Sequence, residues 1–219
     1  MDQFKVASHL KSMLQAYPAA ADVAAAGKHG GAQARYALAR LWLSEGIPWA
    51  FKECPAVYES MRSWLGVMLG VDPKEVGLTG SARLGSSLSP QKLGQPYGDA
   101  SDLDLFIVSE RLFDQLREEF TNWSFSFESG KVSAHNEREL TFWKANNERG
   151  PKVIQRGFID QNMIPNHSAY PITSKISQTM WLVVEKLKRT PGAPRPSKAS
   201  IRCYSSWLSF VQQISINLQ

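Results

Sequence analysis

Gly80-Ser81-Ala82-Arg83-Leu84-Gly85 and, after a loop, Ser101-Asp102-Leu103-Asp104-Leu105-Phe106-Ile107-Val108 form the stretch whose reading decides the fold of this chain. Leu103 to Val108 is rich in β-branched, aromatic and aliphatic residues, which predicts a strand. Just upstream, Val76-Gly77-Leu78-Thr79 predicts a shorter strand that runs into the glycine-bounded turn. Gly80 and Gly85 permit close backbone approach there, and the amides that open a helix, together with the Ser81 hydroxyl, favour anionic oxygens. Asp102 and Asp104 alternate with Leu103 and Leu105, so both carboxylates project from one face of the strand.

Helices are predicted on either side of these strands. Tyr36, Leu38, Ala39, Leu41, Trp42 and Leu43 suit a buried helix over Ala32 to Ser44. Pro55 to Leu69 reads as another, with a first-turn proline, one apolar side and Gly70 as its stop. Gly27, Gly30 and Gly31 are expected to break any helix begun by the alanine-rich stretch Ala19 to Ala26. Glu110 to Phe120 and Ser174 to Leu187 read as helices, and Lys152 to Ile159 as a third strand. A proline-rich, basic linker over Thr190 to Ser197 precedes a closing helix over Ile201 to Leu218. The expected fold class is α/β or α+β, a small mixed sheet flanked by N-terminal and C-terminal helices in a single domain. Within it, 1–70 is a helical segment, 71–170 the catalytic core and 171–219 the C-terminal helices.

Composition narrows the class. A hydrophobic share of 43% is that of a globular protein, and a net charge of +5 is compatible with a polyanionic ligand without demanding one. Cys54 and Cys203 are the only cysteines, too few for a metal array or a secreted disulfide framework. With no signal-peptide core at the N-terminus and no apolar run long enough to span a bilayer, a cytoplasmic location and no membrane partner are expected. His9, His29, His135 and His167 lack metal-ligand spacing.

The paired carboxylates carry the chemistry. Two aspartates side by side on an apolar strand repel unless a cation compensates. Magnesium prefers carboxylate oxygens and bridges them to substrate phosphates, with manganese as its substitute. The plainer alternative is a solvated acidic strand edge.

Gly80-Ser81 with Gly85, then Asp102-Leu103-Asp104, resembles the signature of the DNA polymerase β-like nucleotidyltransferase superfamily, over roughly Val76 to Pro165. That superfamily includes aminoglycoside nucleotidyltransferases, CCA-adding enzymes, poly(A) polymerases and the cyclic-dinucleotide synthases of antiphage defence. The resemblance implies a magnesium-dependent enzyme that moves a nucleoside monophosphate from a nucleoside triphosphate such as ATP to a hydroxyl. The acceptor would be an RNA end, a nucleotide, a small molecule or a protein. It also implies a third carboxylate on a neighbouring strand, for which Asp160 is the candidate, with Glu128 and Glu139 as alternatives. Asp102, Asp104 and Asp160 would then ligate metal, while Gly80 and Ser81 hold the triphosphate. Arg83 is a candidate for a phosphate contact or for a structural role. The connection Leu88 to Ala100 is longer than in the tightest members of the superfamily, and reads as a wall of the site or as an inert excursion. The basic run Lys186, Lys188, Arg189, Arg195, Lys198 and Arg202 is a minor candidate for RNA or the triphosphate tail. A second class is a non-catalytic nucleotide- or RNA-binding protein, such as the regulatory or antitoxin half of a defence system.

Overall fold

A computed structural model describes residues 4, 6–99 and 101–218. Its centre is a four-stranded mixed sheet in the order β1-β2-β4-β3. Strand β1 (Val76–Leu78) runs antiparallel to β2 (Leu103–Val108). Strand β4 (Ala199–Tyr204) lies parallel to β2, and β3 (Phe158–Asp160) is antiparallel to β4 on the far edge. The last strand of the chain is thus threaded between the second and the third.

Period-two alternation gives the sheet two unlike faces. Leu103, Leu105, Ile107, Ile159, Ile201 and Cys203 point to one side, into the larger apolar core. Helices α3 (Pro55–Leu69), α5 (Glu110–Glu128) and α7 (Pro171–Arg189) close that side, and α6 (Glu137–Gln155) packs against α5 and β3. The buried Glu119 carboxylate of α5 ties this layer together. It accepts hydrogen bonds from the Ile172 and Thr173 amides (2.6 and 2.9 Å) and the Thr173 hydroxyl (2.8 Å), satisfying donors at the start of α7.

The opposite face is divided. Phe106, Val108, Phe158 and Tyr204 form a second core with α1 (Ala20–His29), α2 (Gly31–Arg40) and α8 (Trp207–Ile216). Asp104, Ser200, Arg202 and Asp160 hold the rest of that face and line a cavity. The short helix α4 (Gly80–Leu84) follows β1 at its rim.

The mixed sheet between flanking helices is the expected architecture, and α3 has the expected bounds, ending at Gly70 in the left-handed region (φ 67°). Three segments differ. Helix α1 continues through Gly27, because a bare Cα there lets the Leu218 carbonyl pack against it. This close approach outweighs a propensity cost of about 1 kcal/mol. The break falls instead at Gly30 and Gly31, where Gly31 has φ 72°. Lys152 to Ile159 is not one strand. Helix α6 runs through Pro151 to Gln155, Gly157 turns the chain at φ 78°, and only Phe158–Asp160 is extended. Val153 and Ile154 are β-prone, but their packing against the two cores holds them in the helix.

The third correction matters most for the site. Ala199 to Tyr204 is a central strand, not part of a closing helix, so the sheet extends beyond the 71–170 core. The closing helix begins only at Trp207, where the Ser206 hydroxyl caps it by accepting from the Ser209 amide at 3.1 Å.

Gly77 is fixed by packing. A Cβ there would lie 2.3 Å from the Phe106 ring, which is itself wedged against Phe210 at 4.4 Å between centroids. Gly77→Ala is expected to destabilise the protein by about 1–3 kcal/mol, the cost of overpacking a filled core, as read by urea unfolding.

Candidate functional site

The site grows from the turn between β1 and α4. Thr79 is extended, and its amide donates to the Asp104 carbonyl at 3.0 Å, so the turn is stitched to β2. Gly80 then adopts φ 66°, a conformation that L side chains rarely take. A Cβ on Gly80 would also stand 3.0 Å from Asp104 Oδ2. The backbone conformation favours glycine at this point, and the result is a turn pressed against a carboxylate. Gly85 closes α4 at φ 90°, packed on the Trp49 ring.

Asp102, just before β2, and Asp104, within it, differ in their surroundings. Asp102 accepts from the Ser197 hydroxyl at 2.7 Å through Oδ1 and pairs with Lys198 Nζ at 3.1 Å through Oδ2, with its side chain 38% exposed. Asp104 sits deeper, opposite Ser200, whose hydroxyl donates to Oδ1 at 3.1 Å. Burial raises its pKa. The Ser200 hydrogen bond lowers it, the neighbouring Asp102 raises it again, and Arg202 and Lys198 offset part of that. Asp104 forms no ion pair with a described residue.

Asp160 is brought to the same face but not to the pair. It ends β3, and β4 lies between it and β2, so its partner across the ladder is Arg202. Arg202 donates from Nε to Asp160 Oδ1 and from Nη2 to Oδ2 at 3.2 Å, a bidentate grip, with its guanidinium 4.8 Å over the Phe158 ring. Burial alone would lower the Arg202 pKa, but Tyr204 and Asp160 more than reverse this and hold it firmly cationic. Arg156 caps the C-terminal end of α6. Glu128, which accepts from Asn147 at 2.8 Å, and Glu139, which accepts from the His135 amide at 2.7 Å, belong to α5 and α6 and do not line the cavity. No three carboxylate, histidine or cysteine side chains among the described residues are grouped as metal ligands. A magnesium ion carried in on a polyphosphate would meet Asp104 on the cavity lining, and would have to displace Ser197 and Lys198 from Asp102, which lies outside that lining.

Arg83 is not at the cavity. It lies two positions beyond Ser81, about 200° around a helix, and is buried against the other side. There it donates to the Glu45 carbonyl and stacks 5.6 Å over the Tyr17 ring. Burial lowers its pKa. Ser81 alone of these two reaches the cavity.

The long connection after α4 is a wall of the site. The Ser87 amide donates to the Gln95 carbonyl and the Gly94 amide to the Ser87 carbonyl, both at 2.9 Å, folding the segment back on itself. Tyr97 anchors its return, with its amide on the Gly85 carbonyl at 2.9 Å and its ring edge-on to Trp49. The pKa of the buried phenol is pushed up to about 12 by desolvation and by Asp99, Asp104 and Asp102. Ser87 to Pro90 then line a cavity of about 780 Å³ with Gly80, Ser81, Asp104, Arg202 and, from α6, Phe142 and Arg149. Arg202, visible in sequence only as a member of a basic run, and Arg149 are the cations of the cavity lining, with Lys198 beside it on Asp102. The signal that places Arg202 is the alternation of Ser200 and Arg202 with Ile201 and Cys203.

No protein family, curated protein or solved structure with which the chain was compared matches it.

Because burial raises the Asp104 carboxyl, the folded chain binds that proton at a higher pH than the unfolded chain. Ionised Asp104 therefore subtracts from stability above the folded-state pKa. This penalty fades as pH falls through that value, and is gone below the unfolded value near 3.8, where both states are protonated. Without added metal, Asp104→Asn is expected to stabilise the protein at pH 7 by about 1 kcal/mol. In thermal unfolding followed across pH, the gain should shrink toward zero as the medium is acidified.

Proposed function

We propose that the chain is a metal-dependent nucleotidyltransferase that moves a nucleoside monophosphate from a nucleoside triphosphate to a hydroxyl acceptor. The observation that carries this reading is the close approach of the Gly80 turn to Asp104, inside a cavity that also holds a fixed arginine. The resemblance of Gly80-Ser81 and Asp102-Leu103-Asp104 to the polymerase β-like signature supports it.

Each residue has a distinct part in this proposal. Asp104, together with Asp102, would hold magnesium, or manganese in its place, and the ion would supply neutralisation of triphosphate charge. The Ser81 hydroxyl and the amides of the turn donate to phosphate oxygens. Arg202, gripped by Asp160, presents a preoriented cation to the charge that develops on the leaving pyrophosphate. The acceptor hydroxyl oxygen forms a bond to the α-phosphorus as the bond to pyrophosphate breaks, and the hydroxyl proton passes to solvent. Asp160 thus acts through Arg202 as a positioning residue rather than as a metal ligand. Arg149 and Arg202 on the lining offer cations to the phosphate of an RNA end or a second nucleotide as acceptor.

The sequestration of Asp160 favours a second reading, in which the same cavity binds a nucleotide or RNA without transferring anything, as in a regulatory protein. Incubation with each α-labelled nucleoside triphosphate, magnesium or manganese, and an RNA or cell-extract acceptor pool separates the two. Label transfer is expected, falling by roughly 10²-fold or more in Asp102→Ala, Asp104→Ala and Arg202→Gln, the scale for losing one preorganised group at the reacting centre. Asp160→Asn should cost about tenfold, as positioning residues do. Calorimetric nucleotide binding without transfer selects the second reading, and no binding with either metal sinks both.

A further inference from the structure

A second cavity, of about 850 Å³, opens beside the edge strand β1. Gly77 and Phe106, packed on one another, line its floor. Three cationic side chains converge on it from three separate elements. These are Arg40 at the end of α2, Arg62 in α3, and Lys74 in the turn that leads into β1. Arg62 is held in place, donating from Nε to the Pro73 carbonyl at 2.7 Å and lying over the Tyr58 ring. Its nearest carboxylate, Glu59, is 3.9 Å away. Arg40 and Lys74 have no ion-pair partner among the described residues, and Glu45 is the one acidic residue lining the cavity. The lining also carries two exposed aromatic rings, Trp207 (48%) and Tyr36 (37%).

Exposed rings beside cations that outnumber the one acidic residue of the lining form the pairing that binds a planar base together with its phosphate. We infer that this cavity binds a nucleoside phosphate, with the base on Trp207 and Tyr36 and the phosphate on Arg40, Arg62 and Lys74. The ligand is a free nucleotide or one nucleotide of a single strand. The site lies at the β1 edge, apart from Asp102 and Asp104, and needs neither carboxylate nor metal, so it stands independently of the proposed transfer chemistry.

The test is fluorescence anisotropy on the full chain, with labelled AMP and a labelled twelve-nucleotide oligoadenylate, in EDTA. Both probes should bind the wild type and Asp104→Asn equally. Arg40→Gln/Lys74→Gln should weaken binding at least tenfold. For the oligonucleotide it should also flatten the dependence of log affinity on log salt, by a slope of about one for each phosphate partner removed. Trp207→Ala and Tyr36→Ala should each weaken binding about tenfold, the scale of one base–aromatic stack. Tyr36→Ala keeps the ring test valid if Trp207→Ala, which also removes packing on Phe106 and Phe210, melts early. Much tighter binding of the oligonucleotide identifies a strand, and equal binding a free nucleotide. The inference is overturned if neither probe binds or if the cavity variants bind as wild type. It is also overturned if inorganic pyrophosphate or an acidic peptide competes as well as unlabelled AMP. Loss of binding in Asp104→Asn would assign the nucleotide to the first cavity instead.

Discussion

The parallel pairing of β4 with β2 is the constraint on which the open end of the sheet depends. It sets Ser200 beside Asp104 and Arg202 beside Phe106, and by placing β4 inside the sheet it puts a full strand between Asp104 and Asp160. Had β3 paired with β2 directly, the two carboxylates would be neighbours with no cation between them. Instead a serine hydroxyl and a guanidinium fill the intervening positions. The same strand supplies Ile201 and Cys203 to the core on its other face, so one six-residue segment both anchors the fold and sets the charge of the cavity.

Around that cavity Lys198 answers Asp102 and Arg202 answers Asp160, while Arg149 has no ion-pair partner among the described residues and Asp104 is left with a hydroxyl, the backbone of the Gly80 turn and the cost of its burial. A carboxylate kept partly desolvated without a counter-charge is a local departure from stability of the kind that binding sites tolerate. Arg202 shows the converse. A bidentate carboxylate and an aromatic face fix its orientation, so little side-chain entropy remains to be lost when an anion arrives.

Both cavities lie against the same side of the sheet and share Phe106 as a lining residue. They differ in chemistry. The first combines carboxylates with arginine and serine hydroxyls, as suits a metal-bearing polyphosphate. The second is cationic and aromatic, with one acidic residue, as suits a base and its phosphate without metal. The connection after α4 belongs to the first, because Tyr97 and the hydrogen bonds around Ser87 press it back toward Asp104.

The sequence alone determined the elements whose signals are local. The Gly80-Ser81 turn, the strand β2 that carries Asp104, and α3 between Pro55 and Gly70 follow from glycine conformation, strand alternation and capping, which need no distant partner. Tertiary structure decided the rest. Val153 and Ile154 became helical because two cores claim them, and Gly27 stayed helical because the Leu218 carbonyl packs on it. Ala199 to Tyr204 became a strand because the centre of the sheet was open to it. Asp160 is the clearest case: its position at a strand end was readable, but its partner was not. Which charge it faces depends on strand order, and strand order is set by pairing between segments about forty to one hundred residues apart.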